Sequence, residues 1–198
     1  MRGRPLVIAA AFVFAACNGD QPGTAGDAAM HDTLQMAPGQ DVAVGVGTAA
    51  DARTALLNAQ GDTVGTATMR DMGQGIQISL EVQGLPPGEK GFHIHAVGNC
   101  EAPTFESAGS HFAPQGRQHG LENRAGPHAG DLRNLNVGAD GTARQEFTNE
   151  MLSLHEGPNS VFDADGTSLV IHAQPDDYRT DPSGNSGDRI ACGVITRG

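Results

Sequence analysis

Along residues 76–82, Ile76, Ile78, Leu80 and Val82 alternate with polar residues. That is the period-two mark of a strand with one buried face. Similar short runs recur between turn signals. Ala55–Asn58 leads into Gly61-Asp62, and Thr63–Met69 into Gly73-Gln74-Gly75. Gly84-Leu85-Pro86-Pro87-Gly88 separates the alternating run from a strand over Phe92–Val97. Leu132–Val137 and Thr142–Thr148 flank Ala139-Asp140-Gly141 and predict a hairpin. Ser168–Ala173 and Ile190–Thr196 predict the last two strands. Two stretches, 98–131 and 174–188, have little periodicity and predict long loops, which in such scaffolds usually carry function. No segment has the period of an amphipathic helix. The expected fold is all-β, a sandwich or barrel.

Composition supports this reading. The chain has 198 residues, no Trp and 28 Gly, roughly twice ordinary glycine usage. The N-terminus predicts export. Arg2 and Arg4 precede the apolar run Leu6–Ala16, which is too short to span a bilayer. Phe14-Ala15-Ala16-Cys17 resembles a bacterial lipoprotein cleavage box. The expectation is a signal peptide over 1–16, lipid on Cys17, a flexible tether over 17–50 and a folded domain over 51–198. Ordinary cleavage that leaves a free Cys17 is the alternative. Met30, His31 and Met36 lie in the tether and read as scattered linker residues rather than a copper site. Setting Cys17 aside leaves Cys100 and Cys192, which predict one disulfide in an exported protein. The formal charge is −11, and cleavage would remove only the cations Arg2 and Arg4. This speaks against nucleic-acid binding. Membrane contact is expected only through the lipid.

Six of the eight histidines, His93, His95, His111, His119, His128 and His172, stand in Gly-rich contexts, with Asp131 three residues after His128. Neutral imidazole is the commonest protein ligand for copper and zinc. Six imidazoles and a carboxylate are too many for one tetrahedral ion and suit two ions that share a ligand. His93 and His95 are two apart on a predicted strand and project from the same face. An all-His set suits Cu(II), and a His3Asp set suits a closed zinc site. His111, at the mouth of the long loop, is the candidate bridge. His31 and His155 fit no pattern.

These segments carry a resemblance. G-F-H-I-H (91–95), S-A-G-S-H-F (107–112), H-G-L-E-N (119–123), G-P-H-A-G-D-L (126–132), V-I-H-A (170–173) and G-D-R-I-A-C-G-V-I (187–195) make residues 53–198 similar to Cu/Zn superoxide dismutases of the bacterial exported type. The resemblance implies a flattened eight-stranded Greek-key β-barrel of sandwich-like architecture. It implies copper on His93, His95, His111 and His172. It implies zinc on His111, His119, His128 and Asp131, and a Cys100–Cys192 disulfide. Arg189 resembles the residue that guides superoxide. Asp176 stands where the family joins a copper-ligand ring to a zinc-ligand ring, with Asp177 as the adjacent alternative. The implied reaction turns superoxide into oxygen and hydrogen peroxide, and His111 releases copper and takes a proton during the cycle. The loop from His172 to Arg189 lacks the Lys and Glu that help steer superoxide in many relatives. Arg179 is a candidate substitute, and Thr180 or Ser183 a candidate neighbour of Arg189. A homodimer and a place in the bacterial cell envelope are further expectations. The rival readings are a non-enzymatic periplasmic copper- or zinc-binding lipoprotein and an adhesion module that uses the barrel alone.

Overall fold

A computed structural model describes residues 52–198. The expected signal peptide, Cys17 and the tether lie outside the described residues. The described chain forms ten strands: β1 (Ala52–Asn58), β2 (Thr63–Asp71), β3 (Ile76–Val82), β4 (Gly88–Lys90), β5 (Phe92–His95), β6 (Leu135–Val137), β7 (Ala143–Asn149), β8 (Ser168–His172), β9 (Arg189–Val194) and β10 (Thr196–Arg197). A single 3-10 turn spans Glu106–Ala108. Among the described residues, no helix is long and apolar enough to cross a membrane.

The main sheet is antiparallel and runs β5-β8-β9-β1-β2-β3-β7, with β10 paired to the start of β1. β4 continues into β5 across Gly91 and pairs with β6. The pairing of β3 with β7, distant in sequence, is the long return of a Greek key. The curled antiparallel sheet is the flattened-barrel fold that the resemblance implies.

The core follows the alternation. Ile76, Ile78, Leu80 and Val82 of β3 are all buried, as are Ala52 and Leu56 of β1. They pack with Phe92, Ile94, Leu169, Ile171 and Ala191 in one cluster. β5 and β8 differ from the other strands in being buried on both faces. Phe92 and Ile94 join the core, which leaves His93 and His95 on the opposite face. Loops roof that second face, where Val170 packs with Phe105, Ala108 and Cys192 in a smaller cluster.

The loop after β5 is more ordered than its sequence predicts. Phe112 N–H donates to Ile94 O (2.8 Å), Ile94 N–H to Gly130 O (2.9 Å) and Gly130 N–H to Phe112 O (2.8 Å). Two loop segments thus run alongside β5, with bridges at His95–His111 and His93–Asp131. A Cβ on Gly130 would lie 2.2 Å from Ile94 O, so only glycine permits this approach.

The predicted 132–148 hairpin is not formed as such. The turn is present, with Gly138 N–H donating to Thr142 O at 2.8 Å. However, β6 pairs with β4, and β7 with β3. The Gln145 side chain bonds Asn136 N–H (3.3 Å) and Asn134 O (3.3 Å) in place of a ladder. The chain changes partner strands at this corner, a choice that local alternation does not encode.

Candidate metal centre

The outer face of β5 presents His93 and His95, the end of β8 presents His172, and the loop segment bridged to His95 presents His111. All four are buried. Each ring has one nitrogen already engaged. His95 Nδ1 donates to Gly109 O (2.9 Å) and His172 Nδ1 to Gly187 O (3.1 Å). His93 Nε2 faces Asp176 Oδ2 (2.8 Å) and His111 Nδ1 faces Asp131 Oδ1 (3.0 Å). The other nitrogens converge. His95 Nε2 and His172 Nε2 are 3.4 Å apart. His93 Nδ1 and His111 Nε2 are buried without a hydrogen-bond partner. Buried polar atoms are rarely left unpaired, so such orphans need an explanation, and a metal ion supplies one.

A second set meets on one oxygen. Asp131 Oδ1 lies 3.0 Å from His111 Nδ1, 3.0 Å from His119 Nδ1 and 3.3 Å from His128 Nδ1. A tetrahedral ion with arms of about 2.0–2.1 Å needs ligand atoms roughly 3.3 Å apart. These spacings fit. Asp131 Oδ2 accepts from Gly120 N–H (2.8 Å) and His128 N–H (3.0 Å), which aims Oδ1 at the three rings. His111 therefore faces both sets. In each set, one potential ligand atom per residue lies within 4.8 Å of all the others.

Electrostatics separates the two sets. Burial pushes His93 and His95 below the ordinary imidazole range, His111 to about 4 and His172 to about 3. Rings neutral at physiological pH are in the ligand form. Burial would raise the Asp131 carboxyl, but hydrogen bonds from His111, His119 and His128 hold it well below the usual carboxylate range. Burial likewise opposes charge on His119, yet its hydrogen bonds to Asp131 and Asp176 prevail and raise it to about 9. The second set, with its carboxylates, is thus built around positive charge, which suits a divalent cation.

Asp176, rather than Asp177, joins the two sets. Its Oδ2 meets His93 Nε2 at 2.8 Å and its Oδ1 meets His119 Nε2 at 3.0 Å. Asp177 is exposed and instead accepts from Arg179 N–H, Thr180 and Asn185 within its own loop. Gly184 covers the Asp176–His119 bond. A Cβ there would lie 1.8 Å from Asp176 Oδ1 and 2.7 Å from His119 Nε2, on a backbone with φ of +62°. Gly184→Ala is expected to weaken binding of metal by the His119 set about 10- to 100-fold, the usual cost of disturbing a ligand's hydrogen-bond partner. Competition with a chelator measures this, and an unchanged affinity would show that the loop yields instead.

Arg189 opens β9 and is held between two carbonyls, Nη1 on Phe105 O (2.6 Å) and Nη2 on Gly109 O (2.7 Å). Gly109 O also accepts from His95 Nδ1, so one carbonyl separates the guanidinium from the all-His set. Burial lowers the Arg189 pKa somewhat and the nearby Glu106 works against that shift. A guanidinium starts so high that it remains charged. The Cys100–Cys192 disulfide fastens β9 to the loop that carries both carbonyls. Arg179 does not stand free as a steering cation: its Nε donates to Glu122 Oε2 (2.8 Å) and its Nη2 meets the same oxygen. Thr180 Oγ1 bonds Asp177, and neither it nor Ser183 bonds Arg189. His155, left out of the pattern, pairs with Asp71 at an exposed site elsewhere. The roles of Gly184 and of the Phe105 and Gly109 carbonyls had no sequence signal beyond glycine content.

Comparison with known proteins agrees with this geometry. The family described as copper/zinc superoxide dismutase (SODC) matches residues 63–195. Superoxide dismutase [Cu-Zn] 2 of Aquifex aeolicus is 48% identical over 146 residues, covering 73% of this chain and 85% of the relative. Superoxide dismutase [Cu-Zn] of Caulobacter vibrioides is 41% identical over 146 residues, covering 72% and 84%. The crystal structure of a SOD-like protein from Bacillus subtilis matches with a TM-score of 0.70 at 42% identity, covering 72% of this chain and 96% of that one. The chain belongs to the copper/zinc superoxide dismutase family.

Proposed function

We propose that this chain dismutates superoxide to oxygen and hydrogen peroxide with copper on His93, His95, His111 and His172 and zinc on His111, His119, His128 and Asp131. The observation that carries the assignment is the geometry of the two sets: in the all-His set each ring has one nitrogen bonded and turns the other inward, and in the second set three rings meet Asp131 Oδ1. Copper held there would supply one-electron redox chemistry, and zinc a fixed positive charge. The chain's own residues do the rest. Arg189 attracts the anion and orients it with a planar charge held rigid by two carbonyls. His111 Nε2, buried and unpartnered, is the atom that takes up and hands on a proton, while Nδ1 stays turned to Asp131. The roof over the β5–β8 face excludes bulk water from the rings.

A non-enzymatic metal-binding role is the second reading, because one relative is named only as a superoxide dismutase-like protein. The complete all-His set together with Arg189 favours the enzyme. Superoxide dismutation by the purified protein after copper and zinc loading, with metal counted on the same sample, separates the two. High activity at one copper and one zinc per chain supports the enzyme, whereas full loading without activity overturns it. Arg189→Ala is expected to lower kcat/KM about tenfold or more with copper retained. Unchanged kcat/KM would remove the guiding role.

Lipid on Cys17, attachment to the bacterial envelope and homodimerisation complete the proposal. The Phe14–Cys17 box and the apolar run before it support the first two. The mass of the N-terminal peptide from membranes tests the lipid. Exposed Leu57 and Val194, beside a cleft whose lining holds no carboxylate in a chain of formal charge −11, support self-association. Light scattering on the parent chain and on Val194→Asp tests it.

A further inference from the structure

Lys90 is the only lysine in the chain; every other permanent cation is an arginine. It lies on β4 and is 7% exposed. Lysine is almost never so buried unless it is paired. Among the described residues Lys90 makes no ion pair. Its Nζ instead donates to Ala173 O (3.1 Å) and Pro87 O (3.4 Å). Ala173 is the residue that follows His172.

That is also where the regular pairing of β8 stops. On one side the ladder with β5 ends at Phe92–Ile171, and on the other the register with β9 shifts between Ile171 and His172. Beyond Ile171 separate bonds hold the chain. Ala173 N–H donates to Asp188 O (2.7 Å) and Gln174 N–H to Ser186 O (2.9 Å). The His172 ring is turned by its bond to Gly187 O (3.1 Å). These three partners all belong to the end of the second long loop. The bonds to the barrel are different ones. His172 N–H donates to Gly91 O (2.8 Å), Gly91 N–H donates to Gln174 O (2.7 Å), and Lys90 takes the carbonyl between them. Lys90 and Gly91 run directly into β5, which carries His93 and His95.

We infer that Lys90 is a positioning residue of the all-His set: by holding Ala173 O it fixes the end of β8 against the segment that leads into His93 and His95, and so sets where the His172 ring meets theirs. This rests on the ligand assignment above. An ammonium on a four-carbon stem brings three rotatable donors to two carbonyls. Methionine has a similar apolar stem and no donor. Glutamine carries an N–H donor one bond short of the ammonium.

The test uses the full chain as parent, Lys90→Met and Lys90→Gln. Chelator competition reads copper(II) and zinc affinity, absorption reads the geometry of the copper(II) site, and thermal melting reads the metal-free fold. Lys90→Met is expected to bind copper about tenfold more weakly, the low end for an outer partner of a ligand. Its copper spectrum should shift while its zinc affinity stays parental, because His172 belongs to the all-His set alone. Lys90→Gln should fall between the two, and its copper-against-zinc split decides the matter if the methionine variant folds poorly. Parental copper affinity and spectrum in both variants overturn the positioning role and leave the ligand assignment standing. An equal loss of copper and zinc, or a loss confined to the metal-free melting temperature, also overturns it, since either makes Lys90 a support of the whole barrel. A parent that binds zinc but no copper overturns the ligand assignment and this inference together.

Discussion

Replacing Asp131 with alanine is expected to reduce zinc affinity by roughly two to three orders of magnitude. Structural zinc sites bind with about 10–16 kcal/mol spread over four ligands, so one ligand corresponds to about 2.5–4 kcal/mol. Asp131 is the common neighbour of all three zinc-set rings, at 3.0, 3.0 and 3.3 Å. It is also the acceptor for Gly120 and His128 N–H. Its loss removes a metal ligand and leaves two buried backbone donors unpaired, each at a cost of about 1–3 kcal/mol. The metal-free chain should therefore melt earlier as well. Chelator competition reads the first effect and thermal unfolding without metal reads the second. Zinc affinity within tenfold of the parent would mean that Asp131 orders the loop without holding the ion.

Removal of the disulfide, as Cys100→Ser with Cys192→Ser, should produce the largest loss of stability. The bond closes a loop with a sequence separation of 92. A loop of that length corresponds to about 4–5 kcal/mol in the chain-entropy account. That approaches the whole stability of many domains, about 5–15 kcal/mol. Cys192 is fully buried, among Phe105, Ala108 and Val170, so its replacement would also place a serine hydroxyl in an apolar cluster. The functional consequence follows from the same geometry. Phe105 O and Gly109 O, which hold Arg189, lie on the loop that the disulfide fastens to β9. A folded remnant of the variant should have reduced kcat/KM at full copper occupancy. Denaturant unfolding of the two forms measures the stability. A difference below about 1 kcal/mol would indicate that the metals and the core hold this loop unaided.

Much of the barrel is legible along the chain because a half-buried strand writes its burial into alternate residues. Ile76, Ile78, Leu80 and Val82 predict β3 and are its buried positions. β5 and β8 are less transparent, since both of their faces are covered and no alternation survives. The three-residue strand β4 leaves no local mark, and β6 is legible as a strand but not by its partner, because their pairing is set by the return of the chain around the barrel.

The histidines and Asp131 were chosen by the sequence in a different sense. Imidazoles in that number, with one carboxylate, fix the donor chemistry before any fold is known, and two cysteines beyond Cys17 fix the disulfide. What tertiary structure alone decided is which nitrogen of each ring in the all-His set is bonded and which turns inward. It also decided that Asp176 rather than Asp177 links the sets, and that Arg179 is paired with Glu122. The physical reason is that a residue type specifies which bonds a group can make. Which bond it does make depends on carbonyls, glycines and carboxylates brought to it from as far as 84 residues away. No local pattern records that meeting.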